Sequence, residues 1–322
     1  MKFKVFIRVD GSSILGLGHL MRCYALAQML TNDFEVSFYS IEMPLELNID
    51  FIKKGFDVKI IDSEQKFLDI IDVEKIIVLD GYKFDDKYQA IIKGKCKALV
   101  CIDDLITPIV FADLIINHSF HADVSDYNLA KCTKLALGPQ YALLQPVFLN
   151  RNHIHPNPET SRKLFICFGG ADPKNLTYAM LRIALKLNIF SSITIVTGAS
   201  YNYERQLKDY IKDKFNVIHF HAIRSDKMFE LMEKTDIGLV PASGILYELM
   251  SLNKIIVTGM YIDNQRLFLD GVKNIESIIS CGNFDDLDCQ VALTKAVSLK
   301  RKAKSVFDGK SGERILSLFK AL

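Results

Sequence analysis

FKVFIRVDGSSILGLGHLMRCYALAQ, residues 3–28, joins a short apolar run to a Gly-rich turn and then to a helix-like pattern. Phe3-Lys4-Val5-Phe6-Ile7 reads as a buried strand. From Leu20 onward, Leu20, Cys23, Tyr24, Ala27 and Leu30 recur at helical spacing. Between the two, Gly11, Gly16 and Gly18 permit positive φ and close approach of a ligand to the backbone. His19 therefore stands at the carboxyl end of the first strand, where open α/β sheets place their ligands. The turn lacks the third glycine and the acidic partner of a dinucleotide fingerprint. An imidazole in this place can bind a substrate or act as a base near neutral pH.

The pattern continues along the chain. Strand-like runs are expected at 3–9, 34–39, 57–61, 75–80, 97–102 and 113–117, alternating with helical segments. Continuous β-branched runs such as Lys75-Ile76-Ile77-Val78-Leu79-Asp80 imply parallel strands covered on both faces. Asp80, Asp103 and Asp104 fall at strand ends, on the rim where the sites of such sheets lie. A polar, Pro-bearing stretch at 146–162 reads as a linker. The pattern then restarts, with strands expected at 163–168, 192–197, 216–220, 236–240 and 254–258. The expected architecture is α/β: two Rossmann-like domains, 1–145 and 163–322, with parallel sheets facing across a cleft.

Composition narrows the function classes. With 322 residues the chain has room for about two domains, and its 49% hydrophobic content supplies their cores. A net charge of +2, with Lys and Arg scattered, gives no footprint for nucleic acid. Seven dispersed cysteines without a C-x-x-C spacing read as reduced buried thiols, not as zinc ligands or a disulfide framework. No leader-like segment opens the chain and no run reaches the ~18 apolar residues of a membrane span. The expectation is a cytoplasmic monomer that needs no cofactor or metal, binds no nucleic acid and does not insert into a membrane.

Three features of the second half point to a nucleoside diphosphate. Gly169 and Gly170 join a strand to a helix, so bare backbone N–H groups there can face phosphate oxygens. Ser243 and Gly244 open a second helix, and Glu248 lies about one and a half turns into it, where a carboxylate can accept ribose hydroxyls. Asn264 and Gln265 follow a third strand and supply amides at the same rim. Among the remaining histidines, His118 and His121 read as ligands or loop residues and His153 and His155 as exposed linker residues. His219 and His221 close a strand whose following backbone, 221–224, can meet a base.

Asp10-Gly11-Ser12-Ser13-Ile14-Leu15-Gly16-Leu17-Gly18-His19-Leu20-Met21-Arg22-Cys23 resembles the N-terminal signature of the UDP-2,4-diacetamido-2,4,6-trideoxy-β-L-altropyranose hydrolases of pseudaminic acid biosynthesis. The resemblance continues through Leu79-Asp80-Gly81-Tyr82, Ile102-Asp103-Asp104, Asn117, Gly138–Leu144, Phe168–Asp172 and Ser243 to Glu248. It implies the GT-B fold, UDP held mainly by the C-terminal domain, and metal-independent, inverting hydrolysis of a UDP-sugar. It implies catalytic roles for His19 and Tyr82, and sugar contacts near Gly16, Gly18, Arg22, Asn117 and Tyr141. Gly81 departs from members that carry histidine there. Asp10, close in sequence, is the expected orienting partner of His19. A GT-B glycosyltransferase using a UDP-sugar donor is the alternative. A non-catalytic sugar-nucleotide binder would leave His19 without a task.

Overall fold

The computed structural model describes residues 2–12, 16–106, 109, 111–127, 132–149, 162–284, 288–299 and 306–322. Most of the expected linker (150–161), with His153 and His155, lies outside the described residues, as does the basic segment 300–305. The chain divides into two compact units, Met1–Pro146 with Lys310–Leu322, and Val147–Gly309.

The first unit is built on seven strands: β1 (Phe3–Val9), β2 (Phe34–Ser40), β3 (Asp57–Ile60), β4 (Lys75–Asp80), β5 (Ala98–Ile102), β6 (Leu114–Asn117) and β7 (Lys134–Leu137). Their order is β3-β2-β1-β4-β5-β6-β7, and every pair is parallel. The second unit repeats the scheme with β8 (Lys163–Ile166), β9 (Ser192–Thr197), β10 (Val217–His221), β11 (Ile237–Pro241), β12 (Ile255–Met260) and β13 (Ile278–Asn283). Its order, β10-β9-β8-β11-β12-β13, is again doubly wound and parallel.

The strands are as apolar as two-sided coverage demands. Five of the six residues of β4 and all five of β5 are buried. In each sheet the order reverses beside the first strand of the unit, and there the strands on its two sides lead off in opposite directions. That reversal opens a crevice above the carboxyl ends of β1 and β4 in one unit and of β8 and β11 in the other. Among the described residues no helix is long and apolar enough to cross a membrane.

Two strands went unread in the sequence. β7 is a four-residue edge strand whose buried side chain is Ala136 alone, too little for a periodic signal. β13 ends in Cys281-Gly282-Asn283, polar enough to resemble a loop. The last helix, Ser311–Lys320, packs with the first unit although sequence order put it in the second domain. Ile315 and Phe319 are its buried anchors, and the Phe319 ring meets Phe34 of β2 edge-on at 6.0 Å. Lys320 pairs with Asp33 at 2.7 Å, and Arg314 donates to the Gln140 carbonyl at 3.1 Å.

Phe319→Ala should therefore destabilise the first unit. An aromatic truncation at a fully buried position costs about 3–5 kcal/mol. Urea denaturation followed by hydrogen exchange should show the loss in the segments around β2. Unchanged stability would mean that the helix only rests on the surface.

Candidate active site

β1 and β4 are neighbours, in a register that sets Val9 opposite Asp80. The helix Gly18–Leu30 starts from the turn that follows β1 and brings its first residues over the end of β4. There the His19 Nδ1 atom lies 2.6 Å from Asp80 Oδ1. Arg22, one turn further along the helix, donates through Nε to Asp80 Oδ2 at 2.7 Å and through Nη2 to Oδ1 at 2.6 Å. Its Nη1 reaches Asp104, just beyond β5. Cys23 Sγ adds a contact to Asp80 Oδ2 at 3.2 Å.

The Asp80 side chain is fully buried. Burial alone raises its carboxyl, but Arg22 and His19 outweigh that effect and hold it well below the usual carboxylate range. This fixes the tautomer of His19. A bare Nδ1 would set its lone pair against an ionised oxygen at 2.6 Å. The carboxylate therefore favours a proton on Nδ1, donated to Asp80, while Arg22 Nη2, 2.9 Å from that nitrogen, donates to Asp80 Oδ1 at 2.6 Å. In the neutral ring Nε2 is then the acceptor. Tyr82 stands edge-on to the ring with centroids 4.9 Å apart, and its hydroxyl donates to Asp104 at 3.3 Å. Gly81, with φ +151°, lets the chain turn between Asp80 and Tyr82, and a Cβ there would meet Phe84 at 3.2 Å.

Asp10 is not the partner of His19. Its carboxylate takes two hydrogen bonds from Arg8 (2.8 and 2.9 Å), one from Lys83 (2.5 Å) and two from the Ile41 and Glu42 amides (2.7 and 3.1 Å). It ties down the start of the Gly-rich turn instead. Asp80 takes the orienting role, and the signal was available: in a doubly wound sheet the strand beside β1 is β4, and Asp80 ends it. Arg22, expected to touch substrate, has its guanidinium engaged by Asp80 and Asp104. Gly16, at φ +82°, and Gly18 have open space where a side chain would project.

Asn117 and Tyr141 shape the loops around the site. Asn117 is fully buried, donates to the Tyr127 hydroxyl at 2.8 Å and accepts from the Ser119 amide at 3.0 Å. Tyr141 lies in the turn Pro139–Tyr141, which is tied back by the Gly138 amide donating to the Asn117 carbonyl at 2.9 Å. His118 Nδ1 accepts from the Leu143 amide at 3.0 Å, and burial, helped by Arg22, pushes its pKa down to about 4. It is a neutral brace for that loop.

In the second unit, Gly169 has φ +84° and open space around it, and Gly170 packs so closely that a Cβ on Gly198 would lie 2.4 Å from its Cα. The first amides of the helix that follows this turn are already engaged. Asp172 accepts from the Leu176 and Thr177 amides at 2.8 Å each, so the helix Leu176–Leu187 supplies its own anion. The start of the helix Gly244–Ser251 differs. Ser243 occupies the N-cap position without a side-chain bond to the helix, and Gly244 faces open space. Gln265 is buried, its Oε1 accepting from the Tyr261 amide at 3.0 Å, whereas Asn264 beside it is exposed. Thr197 Oγ1 lies 2.8 Å from His219 and 3.1 Å from His221. Among the described residues no three His, Cys, Asp or Glu side chains are grouped to hold a metal ion.

Glu248, on the same helix as Gly244, is partly buried, and burial pushes its pKa up from 4.5 to about 7. Between those values the folded protein keeps a proton that the unfolded chain releases. Stability must then fall as pH rises through that window and stay lower above it. Glu248→Gln should match wild type in melting temperature near pH 4 and exceed it by a few degrees at pH 8. Equal melting temperatures at both pH values would show that the carboxylate is solvated.

No protein-family model matches the chain. An uncharacterized protein of Methanocaldococcus jannaschii is 27% identical over 270 residues, 77% of this chain, which spans about half of that relative's length (54%). The UDP-2,4-diacetamido-2,4,6-trideoxy-β-L-altropyranose hydrolase of Campylobacter jejuni is 29% identical over 268 residues, 81% of this chain and 93% of the relative. Among solved structures, the UDP-GlcNAc 2-epimerase of Methanocaldococcus jannaschii, in complex with UDP-GlcNAc and UDP, superposes with a TM-score of 0.61 at 11% identity, covering 100% of both chains. The chain has the GT-B fold, and its sequence resembles that of the Campylobacter jejuni hydrolase over most of both lengths.

Proposed function

We propose that this chain is a hydrolase that releases UDP from a UDP-2,4-diacetamido-2,4,6-trideoxy hexose in pseudaminic acid biosynthesis. The observation that carries the reading is the 2.6 Å contact between His19 Nδ1 and Asp80, which leaves Nε2 as an acceptor beside Tyr82. Similarity to the Campylobacter jejuni hydrolase supports the substrate class.

In this mechanism water attacks the anomeric carbon from the face opposite UDP. The water oxygen bonds to carbon as the bond from carbon to the β-phosphate oxygen breaks, and UDP leaves with that electron pair. The proton lost by water goes to His19 Nε2, and the configuration inverts. The Tyr82 hydroxyl stands beside the ring as a polar contact for the sugar. The second unit holds UDP: the Ser243 hydroxyl and the N-terminus of the helix Gly244–Ser251 suit the diphosphate, and Glu248 suits the ribose hydroxyls. Asn264 lies exposed for a further contact. Asp80, bonded on both oxygens, serves to orient the base, and no step of this reading is routed through a metal.

UDP release from a UDP-sugar with no acceptor present tests the reading. Hydrolysis is expected, at the same rate in excess chelator. Release only on addition of an alcohol acceptor would make the chain a transferase, and rescue by Mg²⁺ would bring a metal into the step. His19→Gln should lower turnover by about 10²–10⁴-fold, the usual worth of a general base, while UDP affinity persists. Near-normal turnover in that variant would remove His19 as the base.

A further inference from the structure

The five residues that begin with Asp80 serve both the site and a second cluster of charges beneath it. Arg8, on β1 and fully buried, is bonded to Glu64 at 3.0 and 2.6 Å as well as to Asp10. Lys83 Nζ bridges the same two acids, at 2.5 Å from Asp10 and 2.9 Å from Glu64. Tyr88 donates to Glu64 at 2.7 Å. Two cations and two anions leave the group neutral, and both Arg8 and Lys83 lie about the ring of Phe84, at 5.5 and 5.4 Å. Burial raises the Glu64 carboxyl, yet Arg8 and Lys83 outweigh it and hold its pKa down to about 2.

Asp10 precedes the turn that carries His19, and Lys83 directly follows Tyr82. The bridge thus joins the two segments that supply the site. Tyr82 has little else to locate it. It is 52% exposed, its hydroxyl contact to Asp104 is long at 3.3 Å, and the residue before it is a glycine at positive φ. We propose that Lys83 is a positioning residue, whose bridge from Asp10 to Glu64 fixes Tyr82 against the His19 ring. This rests on the hydrolase reading for its consequence in turnover, but not for its geometry.

Lys83→Met removes the bridge, and because the lysine side chain is 47% exposed the fold should persist. Two readouts separate positioning from a merely structural role. The first is the NMR shift of the His19 ring protons, which the edge-on Tyr82 ring perturbs; it should move toward the values seen in Tyr82→Leu. The second is kinetic: kcat should fall about 10-fold, as for a modest misplacement of a site group, with UDP affinity unchanged. Lys83→Arg, which keeps the charge and both partners, should restore each. Wild-type His19 shifts in Lys83→Met, or moved shifts with undiminished turnover, would overturn the proposal. A wild-type protein that hydrolyses no UDP-sugar would retire the functional reading, while the shifts would still decide whether Lys83 places Tyr82.

Discussion

A buried carboxylate is tolerated only where cations and hydrogen bonds surround it, and Asp80 meets that condition with Arg22 and His19. That constraint organises the first unit. It requires the helix Gly18–Leu30 to begin where both side chains reach the end of β4. Removing Arg22 would leave the Asp80 charge stranded in the interior, so folding itself holds the arginine and the carboxylate against which His19 rests. In the proposed mechanism this makes the base preorganised, with its orientation set before any substrate arrives.

The second unit shows the opposite arrangement. Glu248 is partly buried, which raises its carboxyl, and Ser243 caps no amide of the helix that follows it. Both features lower the stability of the unit on its own. Groups that donate to a carboxylate and an anion that meets a helix start would satisfy them together. A ribose joined to a diphosphate has that chemistry, which is why the proposed function places UDP there. The turn after β8 does not share the feature, because Asp172 already fills its helix start.

The fold was largely legible because parallel, two-sided strands are continuous apolar runs, and helices between them leave few alternatives. What escaped was information carried by contact. β7 has one buried residue, and the amphipathic helix Ser311–Lys320 gives no hint in sequence of which sheet it covers. At the site, the sequence motifs single out His19 and Tyr82, and the structure brings their rings together edge-on at 4.9 Å. Nearness along the chain points to Asp10, but it is a poor guide across a sheet: strand order, not sequence distance, brings Asp80 to the histidine. Asn117 and Gln265 look like ligand amides in sequence, yet their side chains turn inward to complete loops, and no local pattern distinguishes an amide that faces a substrate from one that braces a turn.

The claim on which the rest depends is the protonation pattern of one ring, and nitrogen-15 NMR of the histidine side chains measures it. His19 can be assigned by its absence from the spectrum of a His19→Gln protein. In the neutral ring the account predicts a protonated, pyrrole-type Nδ1 and a bare, pyridine-type Nε2, with the pattern relaxing in Asp80→Asn. A proton on Nε2 in the wild-type protein would contradict the account, since the atom assigned to take a proton from water would already carry one.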